Sequence, residues 1–156
     1  MKTLSKEEAL SKAAAYCSIA EHCISEAARK LSDWGTEKEA IPSIIQYLLK
    51  EKYIDEERYC RCFINDKLLN KWGRNKIAYA LASKNIPRNL IAECLSQQLD
   101  PQAYEQMLSA LLESKKKSLK ARSPYELKQK LARFAAGRGF EPEVIHKCIQ
   151  LDDDEL

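Results

Sequence analysis

The chain lacks the features that would place it in a membrane, a fibre or a disordered state. Its four Gly and five Pro are too few for a collagen-like or low-complexity chain. No apolar run approaches the roughly 20 residues that cross a bilayer, and residues 1–12 lack the apolar stretch of a secretory signal. With 156 residues, 45% hydrophobic and 31% charged, the sequence predicts a folded soluble protein of ordinary domain size. We expect it in the cytoplasm, away from membranes.

Common signatures of catalysis are missing as well. The sequence contains no GxxxxGKS/T, GxGxxG, HExxH or GxSxG pattern. We interpret His22 and His146 as helix-surface or partly buried residues rather than general bases. Cys60 lies near Arg58 and Arg61, which favours a thiolate nucleophile, but the sequence supplies no paired base. We therefore expect no enzyme and no cofactor.

Six cysteines leave three interpretations open: disulfides, a zinc site, or buried thiols. In a reducing compartment, free cysteine behaves mostly as a small buried hydrophobe, so we interpret them as thiols. For zinc, Cys60 and Cys62 are close in sequence and two histidines could add nitrogens, but paired CxxC motifs are absent. On a helix, positions 60 and 62 point about 200° apart. We expect no metal.

The net charge of +3 is distributed in blocks. Residues 58–90 carry eight Lys and Arg against one acid, and residues 113–139 carry nine against two, which gives +7 in each block. The flanking segments are acidic. Such basic blocks are typical of surfaces that bind an anionic partner, such as nucleic acid or an acidic protein groove. The alternative interpretation is solvated helix surface.

Apolar residues recur at helical spacing, and the pattern repeats along the chain. Leu31, Leu81 and Leu131 lie 50 residues apart, each with an apolar or small residue four positions earlier. A stripe with spacing i, i+1, i+4, i+5 begins at residues 44, 90 and 144. A proline stands where each of these last helices is expected to begin: Pro42, Pro87 and Pro142.

Each copy predicts three helices in roughly 45 to 50 residues, and no run shows sustained strand alternation. A lone unit of that size buries little apolar surface, so we expect neighbouring units to share a core. The sequence thus predicts an all-α fold: three tandem three-helix repeats that form an elongated, curved helical molecule. We place the repeats at 1–54, 55–99 and 100–151, followed by an acidic tail at 152–156.

The stretch from Tyr53 to Pro87 carries the most specific motifs. It contains YIDEERY, KWGRNKI and LASKNIP, and the third repeat adds YELKQKL and GFEPEVI. Asp55 is predicted as a helix N-cap, and Gly73 as a helix end that leaves an exposed basic turn. These motifs resemble the central signature and short-helix module of the RecX family, bacterial regulators of the RecA recombinase. The resemblance spans nearly the whole chain and is weaker over its first 20 residues.

The resemblance implies a non-enzymatic regulator in DNA repair, DNA recombination and the SOS response. RecX proteins lodge along the RecA filament on single-stranded DNA and usually inhibit ATP hydrolysis, strand exchange and coprotease activity. Some also bind DNA directly. The expected partners are therefore the RecA filament and single- or double-stranded DNA, and we expect a monomer. The alternative function is a stand-alone nucleic-acid-binding helical repeat module.

Candidate binding residues come from the two basic blocks. A basic side chain can reach a phosphate or a carboxylate, but the pattern carries no geometry for reading bases. Trp72, which stands before the predicted turn, has packing against a neighbouring helix as its second interpretation. The candidates of the middle repeat are Arg58, Lys67, Lys71, Trp72, Arg74 and Lys76. Those of the third repeat are Lys115, Lys116, Lys117, Lys120 and Arg122.

Overall fold

Helices make up the described fold. The computed structural model describes the backbone of residues 4–154 and the side chains of residues 4–149. Over that range the chain forms nine α-helices and no strand, apart from one isolated bridge between Leu4 and Thr36. We call α1–α3 unit 1, α4–α6 unit 2 and α7–α9 unit 3. The helices are α1 (Lys6–Ile19), α2 (Ile24–Asp33), α3 (Ile41–Lys50), α4 (Glu56–Leu69), α5 (Arg74–Ser83), α6 (Arg88–Gln98), α7 (Pro101–Lys116), α8 (Pro124–Gly137) and α9 (Pro142–Asp154).

The first helix of every unit begins at a side-chain cap. Ser5, Asp55 and Asp100 each accept a hydrogen bond from the backbone N–H three residues further on, at 3.1, 3.0 and 3.2 Å. The cap satisfies one of the N–H groups that the first turn of a helix leaves without an internal partner. The prediction of Asp55 as an N-cap is confirmed.

Some helix ends differ from the sequence expectation. Gly73 is the N-cap of α5 and does not end α4, whose last residue is Leu69. Pro142 begins α9 and Pro42 is the second residue of α3, whereas Pro87 stands one position before α6 as its N-cap. The helix α9 continues to Asp154, so the first three acidic residues of the predicted tail are helical.

The buried residues form three clusters, one for each unit. Leu31, Leu81 and Leu131 are buried, one in each cluster. Helix pairs with extensive contacts lie within a unit. Each unit therefore has a core of its own, which corrects the expectation that neighbouring units share one. Leu68 and Leu99 pack against the clusters of both unit 2 and unit 3. The all-α fold of tandem three-helix units is confirmed, while the residue boundaries of the repeats remain a prediction.

Units 2 and 3 are joined where the α4–α5 turn meets the α8–α9 turn. The N–H of Gly73 donates to the carbonyl of Arg138 at 2.7 Å, and the N–H of Asn75 donates to the carbonyl of Gly139 at 2.8 Å. Both glycines are buried. Since the first N–H groups of a helix have no partner inside it, unit 3 supplies partners for the beginning of α5.

Tyr104 of α7 completes this joint. Its hydroxyl accepts a hydrogen bond from the N–H of Arg74 at 2.8 Å and donates one to the carboxylate of Glu141. Burial, followed by the hydrogen bond with Glu141, raises the pKa of Tyr104. The hydroxyl therefore stays protonated, as its donation to Glu141 requires.

Units 1 and 2 are joined by equivalent positions. The N–H of Ile24 donates to the Glu56 carboxylate at 3.1 Å, and the hydroxyl of Ser25 donates to the carbonyl of Lys84 at 2.8 Å. Ile24 and Ser25 stand 50 residues before Arg74 and Asn75, whose N–H groups donate at the joint between units 2 and 3. Cys23, which precedes Ile24, packs in the cluster of unit 2 rather than that of unit 1. The same kind of joint therefore occurs twice.

Glu26 is the ionic centre of the joint between units 1 and 2. Its carboxylate lies 2.9 Å from the Lys84 ammonium and 3.2 Å from Nδ1 of His22, and accepts from the N–H of Cys23 at 3.3 Å. Burial alone raises the pKa of Glu26, but the hydrogen bonds with Lys84, His22 and Cys23 outweigh it and lower the pKa. Glu26 is thus held as a carboxylate against unit 2.

Candidate functional site

Two lysine ammonium groups lie over the indole ring of Trp72. Nζ of Lys67 is 4.8 Å from the centre of the indole and Nζ of Lys76 is 4.3 Å from it, within the range of cation–π attraction. The rings of Phe63 and Trp72 are nearly perpendicular, with their centres 6.5 Å apart. Trp72 is half-buried and packs against the core of unit 2, as the packing interpretation predicts. The structure therefore brings Lys67, Trp72 and Lys76 together as one cluster, which we call the Trp72 cluster.

The basic turn between α4 and α5 is only partly exposed, which corrects the sequence expectation. Gly73 is buried because the backbone of the turn forms the joint with unit 3. The Lys71 side chain is exposed, and the Lys71 carbonyl accepts from the Arg138 guanidinium at 3.2 Å. The Arg74 side chain is half-buried. Of this turn, Lys71 offers the most accessible charge.

Arg58 lies at the joint between units 1 and 2, away from the Trp72 cluster. Its Nε donates to the Glu21 carboxylate at 2.7 Å, and a terminal nitrogen donates to the carbonyl of Lys52 at 3.2 Å. The hydrogen bond with Glu21 raises the pKa of Arg58. Arg58 therefore contacts unit 1 rather than presenting an unpaired charge.

The candidates of the third repeat surround the connection between α7 and α8. Nζ of Lys115 lies 4.9 Å from the centre of the Phe134 ring, and Lys116 pairs with Glu113 at 3.3 Å. The remaining three side chains are exposed: Lys117, Lys120 and Arg122. These three form an accessible basic segment on unit 3, which we call the basic connection.

Two further residues near Arg74 were not among the candidates. Tyr79 of α5 and Arg88 at the start of α6 border an open groove between these helices, and Arg74 borders it as well. The Tyr79 side chain is 77% exposed, unusual for a large aromatic group. Sequence periodicity could have placed Tyr79 on the outer face of α5, but it gives no sign that two arginines lie beside it.

Most of the thiols, and His22, occupy packing positions, whereas His146 is exposed. Five of the six free cysteines are buried, and Cys62 is exposed. Burial, followed by the neighbouring Cys94, raises the pKa of Cys60 to about 12, so its reactive thiolate form is scarce at neutral pH. The imidazole of His22 stacks on Tyr16 at 3.8 Å. Among the side chains described, no three of His, Cys, Asp or Glu are grouped as a metal site would need.

No helix within residues 4–154 combines the length and the apolar character that a bilayer crossing requires.

Comparisons with known proteins agree on one family. Residues 55–95 match the model of the second three-helix domain of RecX, and residues 103–149 match that of the third. The chain is 32% identical over 146 residues to the regulatory protein RecX of Chlorobium limicola, covering 93% of this chain and 89% of that one. It is 30% identical to the regulatory protein RecX of Clostridium perfringens strain 13 over 123 residues, 78% of this chain.

The lengths of the relatives differ. The chain spans 57% of the Clostridium perfringens protein that it matches. The crystal structure of RecX from Lactobacillus salivarius is similar with a TM-score of 0.82 at 20% identity, covering 95% of this chain and 96% of that one. At this identity the likeness shows a common fold of three-helix units.

Proposed function

The chain belongs to the RecX family, and on that premise we propose that it regulates the RecA recombinase. It binds the RecA filament on single-stranded DNA and inhibits ATP hydrolysis, strand exchange and coprotease activity. It does so as a cytoplasmic monomer, in DNA repair, recombination and the SOS response. The observation that carries the proposal is family similarity across nearly the whole chain, to proteins named as regulatory.

The shape and charge of the described residues support binding along a polyanion. Three units with separate cores follow one another, so binding groups are distributed over successive units. Unit 2 offers Lys71 and the Trp72 cluster, and unit 3 offers the basic connection. Lysine and arginine side chains that neutralise phosphates release counterions, which gives affinity without sequence preference.

The candidate residues divide by their surroundings. In unit 2, we assign partner contact to Lys71, Arg74 and the Trp72 cluster. In unit 3, we assign it to the five candidates around the connection between α7 and α8, from Lys115 to Arg122. Arg58 contributes less to partner contact, because Glu21 neutralises its charge and holds it against unit 1. Lys115 and Lys116 lie against Phe134 and Glu113, so the basic connection is the part of the third set best placed to reach a phosphate.

Co-sedimentation tests the proposal. RecA filaments are assembled on single-stranded DNA with a non-hydrolysable ATP analogue, and the chain is pelleted with them at 50 and 200 mM salt. The chain should pellet with the filament, and less of it at the higher salt. Absence from the pellet at both salt concentrations would overturn filament binding.

Direct DNA binding is the second candidate function, and the basic connection favours it. If the chain is a stand-alone nucleic-acid-binding module, it should bind single-stranded DNA without RecA as tightly as it binds the filament. Fluorescence anisotropy of labelled DNA, with and without RecA, separates the two functions.

A further inference from the structure

The groove between α5 and α6 has an apolar floor that is open to solvent. Its volume is about 340 Å³, and Ala78, Ala82, Ile91 and Leu95 line it. Ile91 and Leu95 also belong to the core of unit 2, so the floor is the outer side of that core. The small alanine side chains leave the space between the two helices unfilled.

The rim of the groove is basic and aromatic. Arg74 and Arg88 lie at the rim together with Tyr79, and no acidic residue lines the groove. Neither guanidinium forms an ion pair within the described residues. Arg74 also borders a neighbouring hollow that contains Glu105 and Glu141. Those two carboxylates have other partners, since Glu105 pairs with Lys147 at 2.9 Å and Glu141 accepts from the Tyr104 hydroxyl.

Unit 3 has an equivalent groove, and comparing the lining residues of the two grooves shows which features belong to the repeat and which occur only in unit 2. Between α8 and α9 the apolar floor recurs, with Ala132, Ile145 and Ile149 in it. The rim changes, because Gln129 stands where unit 2 has Tyr79 and Pro142 where it has Arg88. The unit 3 groove has a basic residue at a different position, since Lys128 stands where unit 2 has Ala78. The apolar floor therefore follows from the way the second and third helices of a unit pack together. The two arginines and the exposed tyrosine occur only in the groove of unit 2.

The chemistry of the groove favours a protein segment over a nucleic acid. Tyrosine and arginine are enriched among the residues that dominate protein–protein binding, and they act best around a desolvated apolar centre. Interfaces with DNA are more polar, whereas the floor of this groove offers no polar side chain. The guanidiniums of Arg74 and Arg88 form no ion pair within the described residues, so they complement carboxylates on the occupant.

We propose that the α5–α6 groove is a docking site for a segment of the recombinase protein. The segment inserts one aliphatic or aromatic side chain between the two helices and places carboxylates against Arg74 and Arg88. Tyr79 covers the inserted side chain from the rim. This inference rests on the proposed function, since it assigns the protein contact of the filament to one surface of unit 2.

Two substitutions with matched controls test the groove. Ala92 is exposed on α6 and lines the groove, so Ala92→Trp fills it without disturbing the core. The control is Ala15→Trp, at an exposed position of α1. Arg88→Glu reverses a rim charge, and Lys38→Glu makes the same change at an exposed position of unit 1. Circular dichroism and thermal unfolding establish that every variant folds.

The measurement is affinity for cognate RecA filaments on single-stranded DNA. Ala92→Trp and Arg88→Glu should each weaken binding by roughly 30-fold or more, the loss typical of a central interface residue, while both controls bind like the wild type. Unchanged affinity of both groove variants, with wild-type binding intact, overturns the groove and leaves the proposed function standing. If the wild type itself does not bind the filament, both proposals fall together.

A photo-crosslinking amino acid at position 92 identifies the occupant. With RecA filaments on fluorescently labelled DNA, the crosslinked product should contain RecA and no label. A product that contains the labelled strand alone makes the groove a nucleic-acid site and overturns the proposal. The same amino acid at position 15 should give neither product.

Discussion

Gly73 and Gly139 meet backbone to backbone at the joint between units 2 and 3. A Cβ atom on Gly73 would lie 2.2 Å from the carbonyl carbon of Gly139, closer than such atoms approach in proteins. Gly139 has a φ of 95°, and a Cβ there would lie 2.3 Å from Cβ of Lys76. The two turns can therefore dock only because neither residue has a side chain.

Gly73→Ala should open this joint. The added methyl group meets backbone atoms, so the turns must separate and the hydrogen bonds of α5 with unit 3 lengthen or break. We expect a loss of about 1–3 kcal/mol in the free energy of unfolding, as for overpacked positions. Urea unfolding followed by circular dichroism measures it.

Gly137→Ala is the matched control for that experiment. Gly137 lies at the end of α8, and a Cβ there meets nothing within 4 Å. Alanine is the better helix former by roughly 0.5–1 kcal/mol in a helix interior, so this variant should be as stable as the wild type or slightly more so. Equal destabilisation by both substitutions would contradict the account of the joint.

Tyr104→Phe should weaken the same joint without changing its shape. The N–H of Arg74 loses its acceptor, and the cost of such an unsatisfied donor is about 1–3 kcal/mol. Tyr125 is 70% exposed and its hydroxyl accepts from Gln129, so Tyr125→Phe should change the unfolding free energy by less than about 0.5 kcal/mol. Chemical denaturation of both variants checks the difference.

Glu26 should make stability depend on pH in the acid range. Its pKa is lowered from 4.5 in the folded protein, so its contribution is present above that value and is lost as pH falls through the folded pKa. Glu26→Gln should therefore be less stable than the wild type at pH 7, and the difference should shrink as the wild-type carboxylate becomes protonated.

The control for Glu26 is Glu39→Gln, at an exposed position in the turn before α3. It should unfold like the wild type at pH 7 and at pH 3. The account would be contradicted if the difference in unfolding free energy between Glu26→Gln and the wild type stayed constant down to pH 3. The ion pair with Lys84 would then not be what stabilises the joint between units 1 and 2.

Lys71→Glu should weaken binding to the RecA filament while helix content stays unchanged. The side chain is exposed and only the backbone of Lys71 takes part in the joint, so the substitution acts on charge. If Lys71 contacts a phosphate, the plot of log K for filament binding against log salt concentration should be less steep for Lys71→Glu than for the wild type, by about one unit of slope. Lys38→Glu is the control, and an equal loss of affinity in both variants would point to net charge instead of a contact.

Much of the fold could be predicted from the sequence because its signals are local and repeated. Leu31, Leu81 and Leu131 are spaced by a constant 50 residues, and the structure buries all three in equivalent clusters. The cap at Asp55 is equally local, since its partner is three residues away. Periodicity and capping chemistry predict such features directly.

The joints could not be predicted in this way because their partners are far apart in the chain. Gly73 in isolation is typical of a helix end, and only its contact with Gly139 explains why it is buried. Arg58 belongs to a basic block in the sequence, yet its partner is Glu21 of unit 1. The groove could not be predicted for the same reason, since Arg74 and Arg88 line one groove only when α5 packs on α6.

ATP turnover by the cognate RecA on single-stranded DNA tests the central claim most directly. The rate is measured at fixed RecA and DNA while this protein is added up to a concentration that saturates the filament. We predict that the rate falls progressively, and that the groove variant Ala92→Trp requires a much higher concentration for the same effect. A turnover rate that remains unchanged at saturation would contradict the claim that this protein inhibits RecA.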